Sequence, residues 1–235
     1  MPTFYAVGVG PGDPELLTRK GERILRQADV IVSPKSNPTE ASVALETIRP
    51  FLDEGRQEII LHQFPMTSDT TRLIPAWQEI AVLIAGRVAA GQDVAFITIG
   101  DPLFYSTFIY LLRIFQTSYP HIPIEVVPGI SSIHASAAQA LTPLVEGDER
   151  MFVIPATAGI ERIFEGLSKY ETVVLLKVKP VFAEILQLLR QMGREQSTLF
   201  VERVGSGRQK VMTDFDEIAA HNPDYLSLMI VKCSS

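Results

Sequence analysis

The chain has 235 residues, of which 46% are hydrophobic and 20% charged, and this balance excludes an intrinsically disordered protein. Its 21 basic and 27 acidic side chains give a net charge of −6, which argues against attraction of the whole chain to nucleic acid or to an anionic membrane. One cysteine, Cys233, cannot form an internal disulfide and favours a reducing, cytoplasmic compartment. The first residues lack a signal-peptide pattern, and no apolar run is long enough for a transmembrane helix.

Strand-like apolar runs alternate with helical patterns through the first half of the chain. Strands are predicted at residues 4–10, 30–32, 58–61 and 93–99. Helices are predicted at residues 16–28, 42–52, 71–90 and 103–119. This alternation predicts a mostly parallel sheet with helices on its faces.

Two prolines, Pro120 and Pro123, then interrupt the pattern, and we place a domain junction there. The predicted domains are residues 1–121 and 122–235. Beyond the junction we predict a helix at 131–141 and a hairpin across the turn Gly205-Ser206-Gly207. Further strands are predicted at 124–127, 151–154, 172–177, 197–202, 209–212 and 227–231. Because strands outnumber helices here, the second α/β domain is expected to hold a mixed sheet.

The tripeptide Gly-Asp-Pro occurs twice, at residues 12–14 and 100–102, each time after a predicted strand. Asp is a favourable N-cap and Pro suits the first helical position, so both segments predict a helix start. Both turns follow the carboxyl ends of strands, where open α/β sheets bind ligands. A ligand role therefore remains open beside the capping role.

The glycine-rich stretch at residues 8–12 does not fit a dinucleotide or ATP site. Asp13 stands where the dinucleotide fingerprint needs its third glycine, and Pro11 removes a backbone donor that a phosphate would use. The four histidines are scattered without a metal-ligand spacing, so no metal site is expected. No serine or cysteine nucleophile motif is present.

Several ordered segments together resemble the tetrapyrrole methylase family of S-adenosylmethionine (SAM) enzymes. Within it, the chain is similar to the branch that methylates C20 of precorrin-2 or cobalt-factor II in cobalamin biosynthesis. The segments are VGVGPGDPELLT (7–18), FPMTSD (64–69), DVAFITIGDPLFYSTFIYLL (93–112), VVPGISS (126–132), VEGDE (145–149), VIPAT (153–157), VVLLKV (173–178), VERVG (201–205) and YLSLMIV (225–231).

The resemblance implies two α/β domains with the ligand cleft between them, a homodimer, SAM as methyl donor and S-adenosylhomocysteine as product. It implies cofactor contacts from Ile99, Gly100, Asp101, Leu103, Phe104, Tyr105, Ser106, Ser131, Ser132, Lys177, Val204, Ser227 and Leu228. Lys177 departs from the methionine that relatives often carry near the adenine. Asp101 is the candidate catalytic residue, through electrostatic stabilisation of the sulfonium.

The implied substrate is a polycarboxylate macrocycle, which calls for local cationic side chains on an acidic chain. Lys35 and Arg72 are the candidate substrate-binding cations, and Pro11 is expected to border the substrate. The alternatives are methylation at another ring position (uroporphyrinogen III or a later precorrin), a diphthamide-type protein methylase, and a non-enzymatic SAM or nucleotide sensor.

Overall fold

The computed structural model describes residues 1–35, 42–64 and 69–233, with the side chains of Thr70 and Arg72 left out. The chain forms two compact units, Met1–Ser131 and Ser132–Ser235. Each unit has its own five-stranded sheet. Both sheets are combined with helices, so the predicted α/β class with two domains is confirmed.

The first unit is centred on five parallel strands. They are β1 (Phe4–Gly8), β2 (Val30–Lys35), β3 (Glu58–Gln63), β4 (Val94–Thr98) and β5 (Ile124–Val127), in the order β3-β2-β4-β1-β5. The helices are α1 (Arg19–Gln27), α2 (Val43–Ile48), α3 (Thr70–Ala89) and α4 (Phe108–Ser118).

Successive strand residues point to opposite sides of the sheet. Helices cover each side, so both faces are buried. Phe4 and Phe96 pack with α3 and α4 on one face. Val7 and Ile97 pack with α1 and α2 on the other. A parallel sheet covered on both faces requires near-continuous apolar strands, which is why these strands could be predicted from the sequence.

The boundary between the units lies ten residues beyond the predicted one. Residues 124–127 were expected to open the second domain, but as β5 they pair in parallel with β1, from Phe4↔Ile124 to Val7↔Val127. The amide of Phe4 also donates to the carbonyl of Pro123 at 2.9 Å. The two prolines therefore end α4 and lead into the edge strand of the same sheet. They do not separate the units.

The second unit contains the predicted mixed sheet. Its strands are β6 (Met151–Pro155), β7 (Thr172–Leu176), β8 (Thr198–Glu202), β9 (Lys210–Met212) and β10 (Ser227–Lys232), in the order β6-β7-β10-β8-β9. β6 and β7 are parallel, whereas β10 runs antiparallel to β7 and β8. β8 and β9 form the predicted hairpin.

The second unit has more helices than we predicted. They are α5 (Ser132–Gln139), α6 (Ile160–Lys169), α7 (Phe182–Gln191) and α8 (Phe215–Ala220). A helical spacing is present in α6 at Ile163 and Leu167 and in α7 at Ile185 and Leu189, all buried in one core cluster. α5 packs on the opposite face of the sheet, through Ile133 and Ala135.

Candidate active site

Three loops meet at the carboxyl edge of the first sheet. They follow β1, β4 and β5 and span residues 9–13, 99–107 and 128–131. The first two are joined through the backbone, since the amide of Gly100 donates to the carbonyl of Gly10 at 2.8 Å and Val9 donates to Thr98 at 2.9 Å. Ligands of open α/β sheets bind at this edge.

Glycine is required where these loops touch. A Cβ on Gly129 would lie 2.1 Å from the carbonyl oxygen of Gly100, and a Cβ on Gly8 would lie 2.6 Å from the same atom. Gly100 itself has φ +70, a conformation that side chains disfavour. These glycines therefore serve close backbone packing of the three loops.

Asp101 connects two of the three loops. Its Oδ1 accepts the amide of Leu103 at 2.8 Å, and its Oδ2 accepts the amide of Gly129 at 3.1 Å. Asp13, in the other Gly-Asp-Pro segment, accepts only from Glu15, at 2.9 Å, among the side-chain hydrogen bonds of the described residues. The carboxylate of Asp101 thus ties the loop after β4 to the loop after β5.

The first Gly-Asp-Pro segment opens a helix as predicted, with Asp13 as N-cap, although it is a 3₁₀ helix and not an α-helix, whereas the helix start predicted at the second segment is wrong. After Asp13 comes a single 3₁₀ turn, Pro14–Leu16, and α1 begins later, capped by Thr18. After Asp101 the chain turns, and α4 begins at Phe108. Aspartate stabilises such turns by bonding to an amide two residues ahead, which satisfies the same propensity without an α-helix.

The turn after Asp101 presents three apolar or aromatic side chains to solvent: Leu103, Phe104 and Tyr105 are all exposed. The rings of Phe104 and Tyr105 meet edge to face, 4.9 Å apart. Tyr105 has φ +52, a conformation that costs energy for a residue with a side chain. Strained backbone and exposed apolar groups at a strand end are typical of a ligand-binding turn.

Ser106 differs from the rest of the turn because its side chain points inward. Its Oγ lies 3.1 Å from the Oγ1 of Thr98 and accepts the amide of Phe108. The hydroxyl therefore closes the turn onto β4. We predicted that Ser106 contacts the cofactor, and such a contact would have to be made by its backbone atoms.

The other predicted residues of the first unit lie at the same edge with differing exposure. Ile99 begins the loop after β4, Ser131 ends the loop after β5, and Lys35 ends β2. Pro11 follows β1 and is buried, which does not favour contact of its ring with a substrate. The Arg72 side chain, and residues 65–68 of the FPMTSD segment, lie outside the described part of the chain.

In the second unit, four predicted residues meet at one edge of the sheet. Lys177 follows β7 and is exposed, with φ +55. Ser227 begins β10 opposite Glu202, and Leu228 is opposite Leu176 and Val201. The side chains of Val204 and Leu228 pack into the core on the α5 face, so only the backbone atoms of these two residues are available to a ligand. Ser132, the remaining prediction, begins α5.

A charged cluster at this edge was not predicted. The Oε2 of Glu202, at the end of β8, lies 2.9 Å from the Nε2 of His221 and accepts the amide of Asp224 at 2.6 Å. Asp224 pairs with Arg203 at 2.7 Å. Glu202 and Arg203 belong to the VERVG segment, but no regular spacing in the sequence connects that segment with residues 221–224.

The pKa values of both carboxyl groups are lowered by these contacts. Burial raises the pKa of Glu202, but the amide of Asp224, His221 and Lys210 outweigh it, so the net shift is downward. For Asp224, burial again raises the pKa, and the amide of Leu226 and the guanidinium of Arg203 lower it further than burial raises it. Both groups are therefore held as carboxylates at neutral pH.

Comparison with known proteins identifies the family. The family described as Tetrapyrrole (Corrin/Porphyrin) Methylases matches residues 3–219. The chain belongs to the tetrapyrrole methylases. The family inferred from the sequence motifs is thus confirmed.

Three relatives match this tetrapyrrole methylase over 97% of its length. The cobalt-precorrin-2 C(20)-methyltransferase of Salmonella typhimurium is 33% identical over 229 residues, 95% of that protein. A probable enzyme of the same name from Methanocaldococcus jannaschii is 35% identical, covering 95% of that protein. The precorrin-2 C(20)-methyltransferase of a Sinorhizobium species is 32% identical, covering 94%.

Solved structures of other proteins have the same fold as this chain. A cobalt precorrin-4 methyltransferase superimposes with a TM-score of 0.73 at 19% identity, covering 98% of this chain and 94% of that one. The uroporphyrin-III C-methyl transferase of Thermus thermophilus, in complex with S-adenyl homocysteine, gives 0.70 at 23% identity, covering 98% and 92%. At these identities, the two structures support the architecture of this methylase and nothing finer.

The ranges 1–35, 42–64 and 69–233 hold no group of three histidine, cysteine or acidic residues able to hold a metal ion. In the same ranges no helix is long and apolar enough to cross a membrane.

Proposed function

We propose that this protein is a SAM-dependent C-methyltransferase that transfers a methyl group to C20 of precorrin-2 or cobalt-factor II in cobalamin biosynthesis. The observation that carries the proposal is the near-full-length match to three C20-methyltransferases at 32–35% identity. The structures named for other ring positions are less than 25% identical and support only the fold. Methylation at C20 is therefore favoured over another position.

The residues at the carboxyl edge of the first sheet fit SAM, which carries no phosphate. Gly8, Gly100 and Gly129 lie close together at this edge and carry no side chains that would cover their backbone atoms. Leu103, Phe104 and Tyr105 add exposed apolar surface beside them. A sulfonium ligand needs carbonyl oxygens and apolar walls, and both are available here. We propose that Ile99 to Ser106, with Ser131, bind the amino acid part of the cofactor.

The nucleoside part is assigned to the second unit. Lys177, Ser227 and the backbone of Val204 and Leu228 share one edge of its sheet. Ser132 lies at the start of α5. The alkyl stem of the exposed Lys177 could cover the adenine in place of the methionine found in relatives. These assignments follow the family resemblance residue by residue.

When bound, SAM supplies an electrophilic methyl group on a sulfonium. The electron-rich C20 of the substrate would be the nucleophile: a C–C bond forms as the C–S bond breaks, S-adenosylhomocysteine leaves, and C20 then releases its proton to solvent. The chain needs no nucleophile of its own, so its contribution is to align two bound molecules and exclude water. Asp101 contributes by holding Leu103 and Gly129 in place, and its predicted electrostatic effect on the sulfonium adds to that.

The substrate's carboxylates require cations, and Lys35 and Arg72 remain our candidates. Pro11 is buried, so we propose that it borders the substrate through its backbone. Lys35 is at the carboxyl end of β2, the edge at which Asp101 follows β4. We further propose a homodimer, in line with the family resemblance. A cytoplasmic location is supported by the single cysteine.

Calorimetric titration of the purified protein with SAM and S-adenosylhomocysteine tests this function. We expect one site per chain and micromolar dissociation constants of about 1–100 μM. A folded sample that binds neither compound would contradict the proposal. Incubation with SAM and enzymatically prepared precorrin-2, with or without cobalt, then tests for a product heavier by one methyl group.

A further inference from the structure

Glu202 is a buried carboxylate in a position where burial is costly. Its side chain is only 7% exposed, and an ionised group so placed must be compensated by hydrogen bonds and opposite charge. The compensation comes from His221, from the amide of Asp224, and from Lys210, whose Nζ lies 3.8 Å from the Oε1 of Glu202. An apolar side chain of similar size at this position would avoid the cost of burying a charge, so stability alone does not explain the carboxylate.

The contacts of Glu202 organise the segment that leads into β10. Through its amide, Asp224 is held by Glu202, and its own carboxylate accepts the amide of Leu226 at 3.1 Å. The carbonyl of Asp224 accepts the hydroxyl of Ser227. Residues 224–227 are thus connected to the buried carboxylate of Glu202 through Asp224.

The same network controls the turn after β8. Arg203 pairs with Asp224, and its amide donates to the carbonyl of Leu226 at 2.8 Å. Arg203 has φ +48, which an arginine adopts only when its surroundings hold it there. The backbone of Val204, next in the chain, depends on this conformation.

We infer that Glu202 is a positioning residue, which, through Asp224 and Arg203, presents Val204, Ser227 and Leu228 to the nucleoside part of SAM. The inference rests on the proposed function, since it assigns a task within the same cofactor site. Glu202 does not itself touch the ligand. It keeps two chain segments, one before β10 and one after β8, in a single arrangement, so that little ordering is needed on binding.

The test compares S-adenosylhomocysteine affinity and steady-state kinetics of three variants with those of the unaltered protein. Glu202→Gln keeps an oxygen for the Asp224 amide but turns an NH₂ group toward His221 and Lys210. Asp224→Asn keeps an acceptor for Leu226 and breaks the pair with Arg203. Glu171→Gln is the matched control, because it removes an ion pair with Arg150 at the opposite end of β7.

We expect each of the first two variants to weaken S-adenosylhomocysteine binding about tenfold, the loss expected for one charge-assisted hydrogen bond. The KM for SAM should rise to the same extent while kcat stays within about twofold, because the methyl group is aligned by the first unit. Glu171→Gln should leave both constants unchanged.

Folded Glu202→Gln and Asp224→Asn proteins that bind within about twofold of the unaltered protein would overturn the inference. A kcat loss at unchanged KM would also overturn it. If Glu202→Gln does not fold, Asp224→Asn decides alone, since its side chain is partly exposed. Failure of the unaltered protein to bind would instead refute the proposed function, so the two failures are distinguishable.

Discussion

Asp101 and Gly129 are 28 positions apart in the chain, yet the carboxylate of one accepts the amide of the other at 3.1 Å. The same carboxylate accepts the amide of Leu103 at 2.8 Å. Two loops at the carboxyl edge of the first sheet are therefore held together by one side chain. A carboxylate has two equivalent oxygens for this purpose, and no other side chain of similar size does.

The first prediction concerns Asp101→Asn. The amide offers one acceptor oxygen, so the amide of either Leu103 or Gly129 loses its partner. We expect SAM affinity to fall about tenfold and the free energy of unfolding to fall by about 1–2 kcal/mol. Titration calorimetry and urea denaturation measure the two effects.

Asp13→Asn is the control for this prediction, because the single described side-chain contact of Asp13, with Glu15, needs only one oxygen. Its affinity and stability should match those of the unaltered protein. Equal effects of the two substitutions would show that Asp101 has no special role in joining the loops.

The second prediction concerns backbone packing at Gly129. In Gly129→Ala the new Cβ would lie 2.1 Å from the Gly100 carbonyl oxygen, so one of the loops must move. We expect a loss of about 3 kcal/mol in unfolding free energy, at the upper end of the usual cost of overpacking, together with loss of SAM binding.

The matched variant is Gly86→Ala in α3, where an added Cβ meets nothing within 4 Å. It should stabilise the protein by about 0.5–1 kcal/mol because alanine favours the helix. A Gly129→Ala protein as stable as Gly86→Ala would contradict the packing described for the three loops.

The third prediction uses the strained backbone of Lys177, at φ +55. Lys177→Gly should raise the unfolding free energy by about 0.5 kcal/mol, because relief of strain exceeds the entropy gained by the unfolded chain. SAM binding should nevertheless weaken, since the turn is then no longer held in one conformation. Gly193→Ala, with φ +64 and open space around it, should destabilise by about 1 kcal/mol. A Lys177→Gly protein that is less stable than the unaltered protein would rule out a strained Lys177.

The fourth prediction concerns acid. The hydrogen bond from Arg150 lowers the pKa of Glu171 from 4.5 to about 2, and the pKa values of Glu202 and Asp224 are also lowered. Carboxyl groups with lowered folded-state pKa values stabilise the fold above their unfolded pKa, and this stability is lost as pH falls. Unfolding free energy should therefore decrease steadily from about pH 5 toward pH 2.

Urea denaturation across this range checks the acid prediction. Glu171→Gln should show a smaller decrease than the unaltered protein, because one of the contributing groups is gone. A stability that is constant or rising below pH 5 would contradict the assignment of these ion pairs.

Much of the first unit could be predicted because its strands are buried on both faces and carry apolar runs such as Val94–Thr98. The boundary was misplaced because Pro120 and Pro123 act only locally, whereas the pairing of β5 with β1 joins residues about 120 positions apart. Helices α6 and α7 were overlooked although Ile163 and Leu167 have the spacing of a helix.

The candidate site shows the same division between local and distant contacts. The sequence predicts a ligand-binding role for the Gly-Asp-Pro segment at residues 100–102, but the hydrogen bond from Gly129 to Asp101 depends on the sheet order. Likewise, the link from Glu202 to Asp224 spans 22 positions and leaves no periodic signal in the sequence. Side chains that act across loops become visible only when the strands that carry them are placed side by side.

The most direct test of the central claim is transfer from SAM labelled with ¹³C in its methyl group. The protein is incubated with the labelled SAM and metal-free precorrin-2 or its cobalt-containing counterpart, and the product is analysed by mass spectrometry and ¹³C NMR. We predict one added methyl group whose carbon is bonded to C20. A label at any other ring position, or no transfer by a protein that binds SAM, would contradict the account.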